Sequence, residues 1–560
     1  MVDVLAYKGK TLLSRHNPEK QGEKLALSFP LKENTLYLCP SPLYGYGLSV
    51  LLDRFIKEGL IESSAILCLE LEQELFKLSL PALGAIIAEW EGKNSITAPV
   101  KFSPCTAAIE EICSFVRSTL GSLNFRRVEV LRLTGGWQLH PDAYKEIEAA
   151  LGREIALDWG NAMTMIRLGR LFSHNFAANI SSFYRREGSA YDIKHLNYGS
   201  APILVIAAGP SLDTSLDKLQ ALSGIPLPEN RPYRIIAVDT SLPLLLERGI
   251  IPDLLVILES QHWNLRAFTG AKGHKIDAAI DLSALPASGR VLAGKSFYFF
   301  TPWTELEIFT RLRGLGLLPQ SFLPLGSVGL SAVAIALFCG SGNVVTCGLD
   351  FSFSLDKYHA RSSPSQGDMD RKQNRFKSLI NFTAAFRNGS FPALSKEAKA
   401  VRSDPALRRY RNLFEHEFAH NARLFDISGS GLDLGIKAYS MDEIFSVLTA
   451  SGEPANATGA DTLNAASSAL TCLPTLEEAF REKADFINGE IKCLNELRGI
   501  LSGELSPDAA RLEKLLKEAD YLWAHFPDCA KGKLPPLTDI GFLKRVRMEI
   551  EPFLRLWENP

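Results

Sequence analysis

The stretch ILVIAAGPSLDTSLDKL, Ile203 to Leu219, decides how this chain folds. Four apolar residues run into Ala-Ala-Gly-Pro-Ser, and leucines then recur at 212, 216 and 219. The pattern predicts a buried strand that turns sharply into an amphipathic helix. Glycine at such a turn lets a ligand approach the backbone, and the free N–H groups that open the helix form an anion site. Neither GxxxxGK[ST] nor GxGxxG stands there. Gly209, Pro210 and Ser211 therefore read either as a phosphate-binding turn or as a plain strand-to-helix turn capped by Ser211.

Similar apolar runs recur at YRIIAVDTS, DLLVILES, KIDAAID, SFYFFT and NVVTCGLDFSF, separated by helical patterns. They predict a Rossmann-like, doubly wound parallel sheet within a central domain over residues 151–450, with ligands at the carboxyl ends of its strands. Upstream, TLYLC, LSVLLDRFIKEG, SAILCLELE and RVEVLRLTGG predict a smaller α/β domain over residues 1–150. The segment from about 151 to 198 reads as helical and polar. Small polar residues from 451 to 468 read as an exposed linker. Residues 470–560 read as a helical C-terminal domain, one of whose helices has Ser506 as N-cap and Pro507 at its first position.

The 560 residues are 46% hydrophobic and 22% charged, and 61 Lys+Arg against 63 Asp+Glu leave a formal net charge of -2. Nothing in this balance argues for wholesale binding of nucleic acid or anionic membrane, and it leaves room for a local basic patch. The nine cysteines are odd in number, scattered and mostly set in apolar runs, without a CxxC. They fit reduced core thiols, not a disulfide framework or a structural zinc site. The first residues lack the continuous apolar core of a signal peptide, so a cytoplasmic location is expected. No charged residue lies between Arg313 and Asp350, but prolines, Gln320, Asn343 and glycines interrupt that span. It reads as a buried helix, SAVAIALF, beside a buried strand.

Polar groups gather at the expected strand ends. Asp239, Thr240 and Ser241 follow one strand, where Asp239 or Thr240 either caps the next helix or contacts a nucleoside. Glu259 opens six polar or aromatic residues after another. With no second Asp in a DxD arrangement, an obligatory Mg²⁺ is not expected. The densest reactive cluster is Asp350, Ser352, Tyr358 and His359. Asp350 either holds the loop or acts chemically, and His359 and Tyr358 are placed to exchange protons with a leaving phosphate or an acceptor hydroxyl. His416, Glu417 and His420 match HExxH. A zinc centre there lacks a third ligand, and a polar helix bordering the cleft is the better reading, with SGSGLDLG as a flexible loop closing it.

Taken together, ILVIAAGPSL, AVDTS, GIIPDLLVILES, GLSAVAIALFCGSGNVVTCGLDFSF…YHAR and FDISGSGLDLG resemble, in order and spacing, the motility-associated factor (Maf) flagellin glycosyltransferases. The likeness spans about Pro202 to Ile436, with a weaker one around PLYGYGLSVLL. The GPSL turn, the AVAIAL helix and the GLDF strand end also look like bacterial sialyltransferases. The resemblance implies a glycosyltransferase that moves a nonulosonic acid, of pseudaminic or legionaminic type, from its CMP-sugar to Ser or Thr of flagellin without a metal. It implies Gly209, Pro210 and Ser211 against the donor phosphate, and Gly326 and Ser327 near the cytosine. Asp239 and Thr240 fall where the sialyltransferases place an asparagine on the nucleotide, and Tyr358 where they keep a tyrosine on the phosphate. Glu259 is the further candidate at the donor. The base is open among His359, His416 and His420. The competing expectations are a pterin diphosphokinase-like enzyme and a non-catalytic flagellin-binding assembly factor.

Overall fold

The computed structural model describes residues 6–14, 16–185, 189–223, 231–376, 386, 389–449, 476–506, 508–529 and 533–558. The linker read over 451–468, Cys472 and Pro507 lie outside them. The chain divides into two compact units, Met1–Arg167 with Phe526–Lys533 and Leu168–His525 with Leu534–Pro560.

The first unit holds a four-stranded parallel sheet in the order Val100–Phe102, Ala65–Leu69, Thr35–Pro40, Arg127–Val130. TLYLCP and AILCL are buried at every residue, because helices cover both faces of the sheet. The strand Val100–Phe102 escapes a periodicity reading because it is only three residues long.

The second unit holds nine strands in one sheet, in the order Ala438–Tyr439, Leu424–Ile427, Val344–Cys347, Ile203–Ile206, Arg234–Val238, Leu254–Ile257, Asp277–Asp281, Ser296–Phe299, Ala190–Asp192. Every neighbouring pair is parallel. From Ile203–Ile206 the chain steps outward strand by strand to Ser296–Phe299, then returns to lay Val344–Cys347 on the other side. This is the expected doubly wound topology, and the reversal of direction falls beside the GPS turn. Ile206 is paired with Cys347 on one side and Ala237 on the other, so three carboxyl ends come level there.

The charge-free span resolves as expected into the buried helix Val328–Cys339 and the buried strand Val344–Cys347. Leu330, Ala332, Val333, Ile335 and Ala336 of that helix are fully covered. Each larger aliphatic side chain so buried contributes roughly 1.5–3 kcal/mol. No helix among the described residues is long and apolar enough to cross a membrane.

The helical segment read from residue 151 belongs to one helix, Pro141–Arg185, and Tyr191 lies in the edge strand instead. One turn apart on this helix, Asn175 donates to the Ser260 and Ser283 carbonyls at 3.0 and 2.9 Å, and Asn179 to those of Leu282 and Ala284 at 3.0 and 2.7 Å. These amides satisfy buried carbonyls in the loops that follow two strands. Near the C-terminus, helices run over Leu476–Ser502, Ala509–Glu518 and Ile540–Glu558. Asp508, not Ser506, caps the middle one, accepting from the Ala510 N–H at 3.0 Å. An aspartate at that position outcompetes a serine two residues earlier because its carboxylate also meets the positive end of the helix.

Candidate functional site

Where the three strand ends come level, a cavity of about 130 Å³ opens. Its floor is Ala207 to Gly209 and Gly348 to Ser352, with Val238 and Thr240 on one side. Ser327, Val328 and Gly329, at the start of the helix Val328–Cys339, face it, and Tyr358, His359 and Leu407 complete the wall. The amides at that helix start present partial positive charge.

The turn is built by close packing. Gly209 donates its N–H to the Gly348 carbonyl at 2.7 Å. A Cβ on Gly209 would lie 2.6 Å from the Asp350 carboxyl carbon and from the Gly348 oxygen, so only glycine fits. Gly348 has φ +73°, a left-handed conformation that glycine adopts without strain. Ser211 does not cap the following helix. Its backbone N–H donates to Asp350 Oδ2 at 2.7 Å and its hydroxyl to Oδ1 at 2.5 Å. Asp350 is thus the clamp of the turn, with both oxygens engaged. Burial pushes its carboxyl above the usual range, and the two donors from Ser211 pull it back.

On its other side Asp350 meets the SGSGLDLG loop. A Cβ on Gly431 would lie 2.8 Å from Asp350 Cα, and Leu432 donates its N–H to the Asp350 carbonyl at 2.8 Å. The loop read as flexible is therefore pinned at Gly431 and Leu432. Lys396 holds it from behind, donating its backbone N–H to the Gly431 carbonyl at 2.9 Å and its ammonium to Asp426 and to the Ile427 carbonyl. Neither Lys396 nor Asp426 carries a sequence signal, because nothing in SKEAK or LFDIS marks a buried ion pair.

Asp239 and Thr240 occupy the next strand end. Asp239 Oδ1 accepts from the Thr240 N–H at 2.7 Å and hydroxyl at 3.1 Å, and Oδ2 accepts from Asn264 at 2.9 Å. Burial pushes the Asp239 carboxyl up to about 6 against these donors. Asp239 supports Thr240, and only Thr240 lines the cavity. Glu259 is exposed, accepts from the Gln261 N–H at 2.9 Å and lies outside the cavity wall. Gly326, φ +70°, turns the chain beside the Tyr410 ring just before Ser327. Pro210 and Ser211 stand at the turn without lining the cavity.

His359 and Tyr358 are brought together with these groups. His359 Nδ1 lies 3.3 Å from the Ala208 carbonyl. A carbonyl only accepts, so Nδ1 carries the proton and Nε2 keeps its lone pair. Burial pushes the His359 pKa down, which keeps the ring neutral. Tyr358 packs its ring on Phe353 and, edge to face, on His359, with centroids at 5.0 and 4.9 Å. The loop is tied to the helix after the turn by Lys357, which donates to Asp213 at 2.8 Å.

The HExxH match does not form a paired-ligand face. The helix Pro405–Phe418 ends before His420, and both histidines are exposed, with His416 Nδ1 2.9 Å from Glu417. No group of three or more His, Cys, Asp or Glu among the described residues is placed to hold a metal ion. The helix does border the cavity, through Leu407. The eight described cysteines are free, and burial pushes the Cys347 thiol up to about 12.

Known proteins resemble this chain in three ways. A family model described as "6-hydroxymethylpterin diphosphokinase MptE-like" matches residues 174–356. An uncharacterized protein of Treponema pallidum (strain Nichols) is 29% identical over 563 residues, spanning 99% of this chain and 93% of that protein. The structure of MAf glycosyltransferase from Magnetospirillum magneticum AMB-1 superposes with a TM-score of 0.57 at 15% identity, over 98% of this chain and 88% of that one. The chain therefore has the fold of a Maf glycosyltransferase, with an MptE-like region at its centre.

Proposed function

We propose that the chain is a glycosyltransferase that moves a nonulosonic acid from its CMP-sugar to a Ser or Thr hydroxyl of flagellin. The observation that carries this reading is the convergence of Gly209, Thr240, Ser327, Tyr358 and His359 on one cavity, in a fold shared with a MAf glycosyltransferase. The acceptor oxygen attacks the anomeric carbon, the bond from that carbon to the phosphate oxygen breaks, and CMP departs with the electron pair. His359 Nε2 takes the acceptor proton. N–H groups at the start of the helix Val328–Cys339, with the Tyr358 hydroxyl, stabilise charge on the departing phosphate, while the N–H groups of Gly209 and Ser211 hold the turn in shape. The scheme requires no metal. Asp350 acts in it as a positioning residue that holds Ser211 and Gly209.

Calorimetric titration with CMP and CDP, with and without Mg²⁺, on the intact chain and on Ser211→Trp and Tyr358→Phe tests the reading. Saturable CMP binding that ignores metal and disappears with the tryptophan is expected. The MptE-like match over 174–356 favours a second reading, diphosphate transfer to a pterin. Binding of a nucleoside triphosphate only with Mg²⁺ would select it. No nucleotide binding at all would sink both and favour a flagellin-binding assembly factor.

A further inference from the structure

The loop that places Tyr358 and His359 on the first cavity continues as Arg361, Ser362 and Ser363 along the wall of a second cavity, of about 850 Å³. That volume lies in the range of small-molecule sites, ~300–1,000 Å³. The carboxylates in its wall are already engaged. Glu247 accepts from the Ser362 hydroxyl at 2.5 Å, Asp368 pairs with Arg266 at 2.6 Å and with Arg371, and Asp370 accepts from Gln366 at 2.9 Å. The groups left over are donors. Neither the Arg361 guanidinium nor the His274 ring has a side-chain partner among the described residues.

Ser363 supplies an independent observation. It is 1% exposed, and its Oγ is buried with no hydrogen-bond partner, a cost that a polar occupant of this cavity would relieve. It holds the N-cap position of the helix Pro364–Lys372 without capping it, so the positive end of that helix also opens here. An unpaired guanidinium, an unpartnered hydroxyl and a helix start within one wall share a single complement. We infer that this cavity is a second ligand site, separate from the one at the GPS turn, which takes the oxyanion of a small carboxylated or phosphorylated molecule through Arg361, Ser363 and His274. Its occupant touches the loop two residues from His359, so binding there also steadies the base.

Titration of the full chain with inorganic phosphate and, separately, with acetate tests this in a Ser211→Trp background, which removes the turn as a competing anion site. Saturable binding of at least one anion is expected, and the tighter of the two identifies the class. Arg361→Gln, at an exposed position, should weaken it about ten-fold, the loss of one charge-assisted contact. Ser363→Ala should weaken it about three-fold while leaving the unfolding midpoint unchanged or raised, because it deletes an orphaned polar atom. Absence of saturable binding of either anion, or full affinity retained in Arg361→Gln, overturns the inference. If Ser211→Trp binds phosphate in this way while the intact chain fails to bind CMP, the transferase reading falls and the second site stands.

Discussion

In the smaller sheet Ser41, just past the strand Thr35–Pro40, donates its hydroxyl at 2.6 Å to Glu70, just past the neighbouring strand. In the larger sheet Ser211 donates to Asp350 in the same manner, again from two adjacent strand ends. The first pair is sealed. Ser41 and Glu70 are fully covered, Thr134 donates to the Ser41 carbonyl at 2.6 Å, and Gly136 sits so close that a Cβ there would lie 2.2 Å from the Ser41 hydroxyl. A cavity of about 380 Å³ in that unit is walled by Leu12, Thr134 and Gln138 among others, and by neither Ser41 nor Glu70. The second pair borders open space, because small residues, Ala207 to Gly209 and Gly329, stop short of filling it. A parallel sheet with a reversal of strand order offers a crevice, and the side chains at the strand ends decide whether it becomes a site.

The largest test of this contrast substitutes the two glycines. Gly209→Ala and Gly136→Ala should each cost roughly 3 kcal/mol in urea unfolding, the upper range for overpacking. Only Gly209→Ala should abolish CMP binding, and an equal loss with Gly136→Ala would break the comparison. Next in size is the third strand-end carboxyl, Asp239, whose pKa is raised from 3.8 to about 6. Its protonated form is favoured by folding, so its stabilising contribution is complete below about pH 4 and is lost as pH rises through about 6. Asp239→Asn should remove that pH dependence, worth roughly 3 kcal/mol at 1.36 kcal/mol per unit. Unfolding midpoints from pH 4 to 7 that run parallel in both proteins would refute it.

Asp350→Asn should cost about 1.5 kcal/mol, because one of the two donors from Ser211 then faces an amide N–H. CMP affinity should fall with it, through loss of the turn geometry, whereas Glu70→Gln should leave affinity untouched. Equal affinities for both variants would erase the distinction. The smallest effect belongs to Glu259→Gln, at an exposed position off the cavity, with a change within about 0.5 kcal/mol and unaltered binding. A clear loss of CMP affinity would return Glu259 to the site.

The central sheet was legible because strands buried on both faces read as continuous apolar runs, and YRIIAVDTS and NVVTCGLDFSF could hardly be anything else. The edge strands Ala190–Asp192 and Ala438–Tyr439 were not, since two or three residues carry no period. Strand-end polar residues located Gly209, Thr240, Ser327, Tyr358 and His359 at one cavity, yet spacing along the chain says nothing about which of them touch. That Asp350 spends both oxygens on Ser211, or that Lys396 backs the loop at Gly431, depends on contacts between segments distant in sequence. His420 was misplaced on a helix because HExxH presumes a turn that the chain ends two residues too soon.

Ser211 precedes Asp350 by 139 residues. At synthesis rates of ~5–20 residues per second, the turn waits roughly ten seconds or more for its clamp. Through that interval one edge of the strand Ile203–Ile206 has no neighbour, an exposed apolar template for wrong pairing by another nascent chain. Translation must then run on to Gly431 before the far side of Asp350 is covered. If the proposed CMP-sugar binds at the GPS turn, its presence during expression should favour recovery of the completed fold.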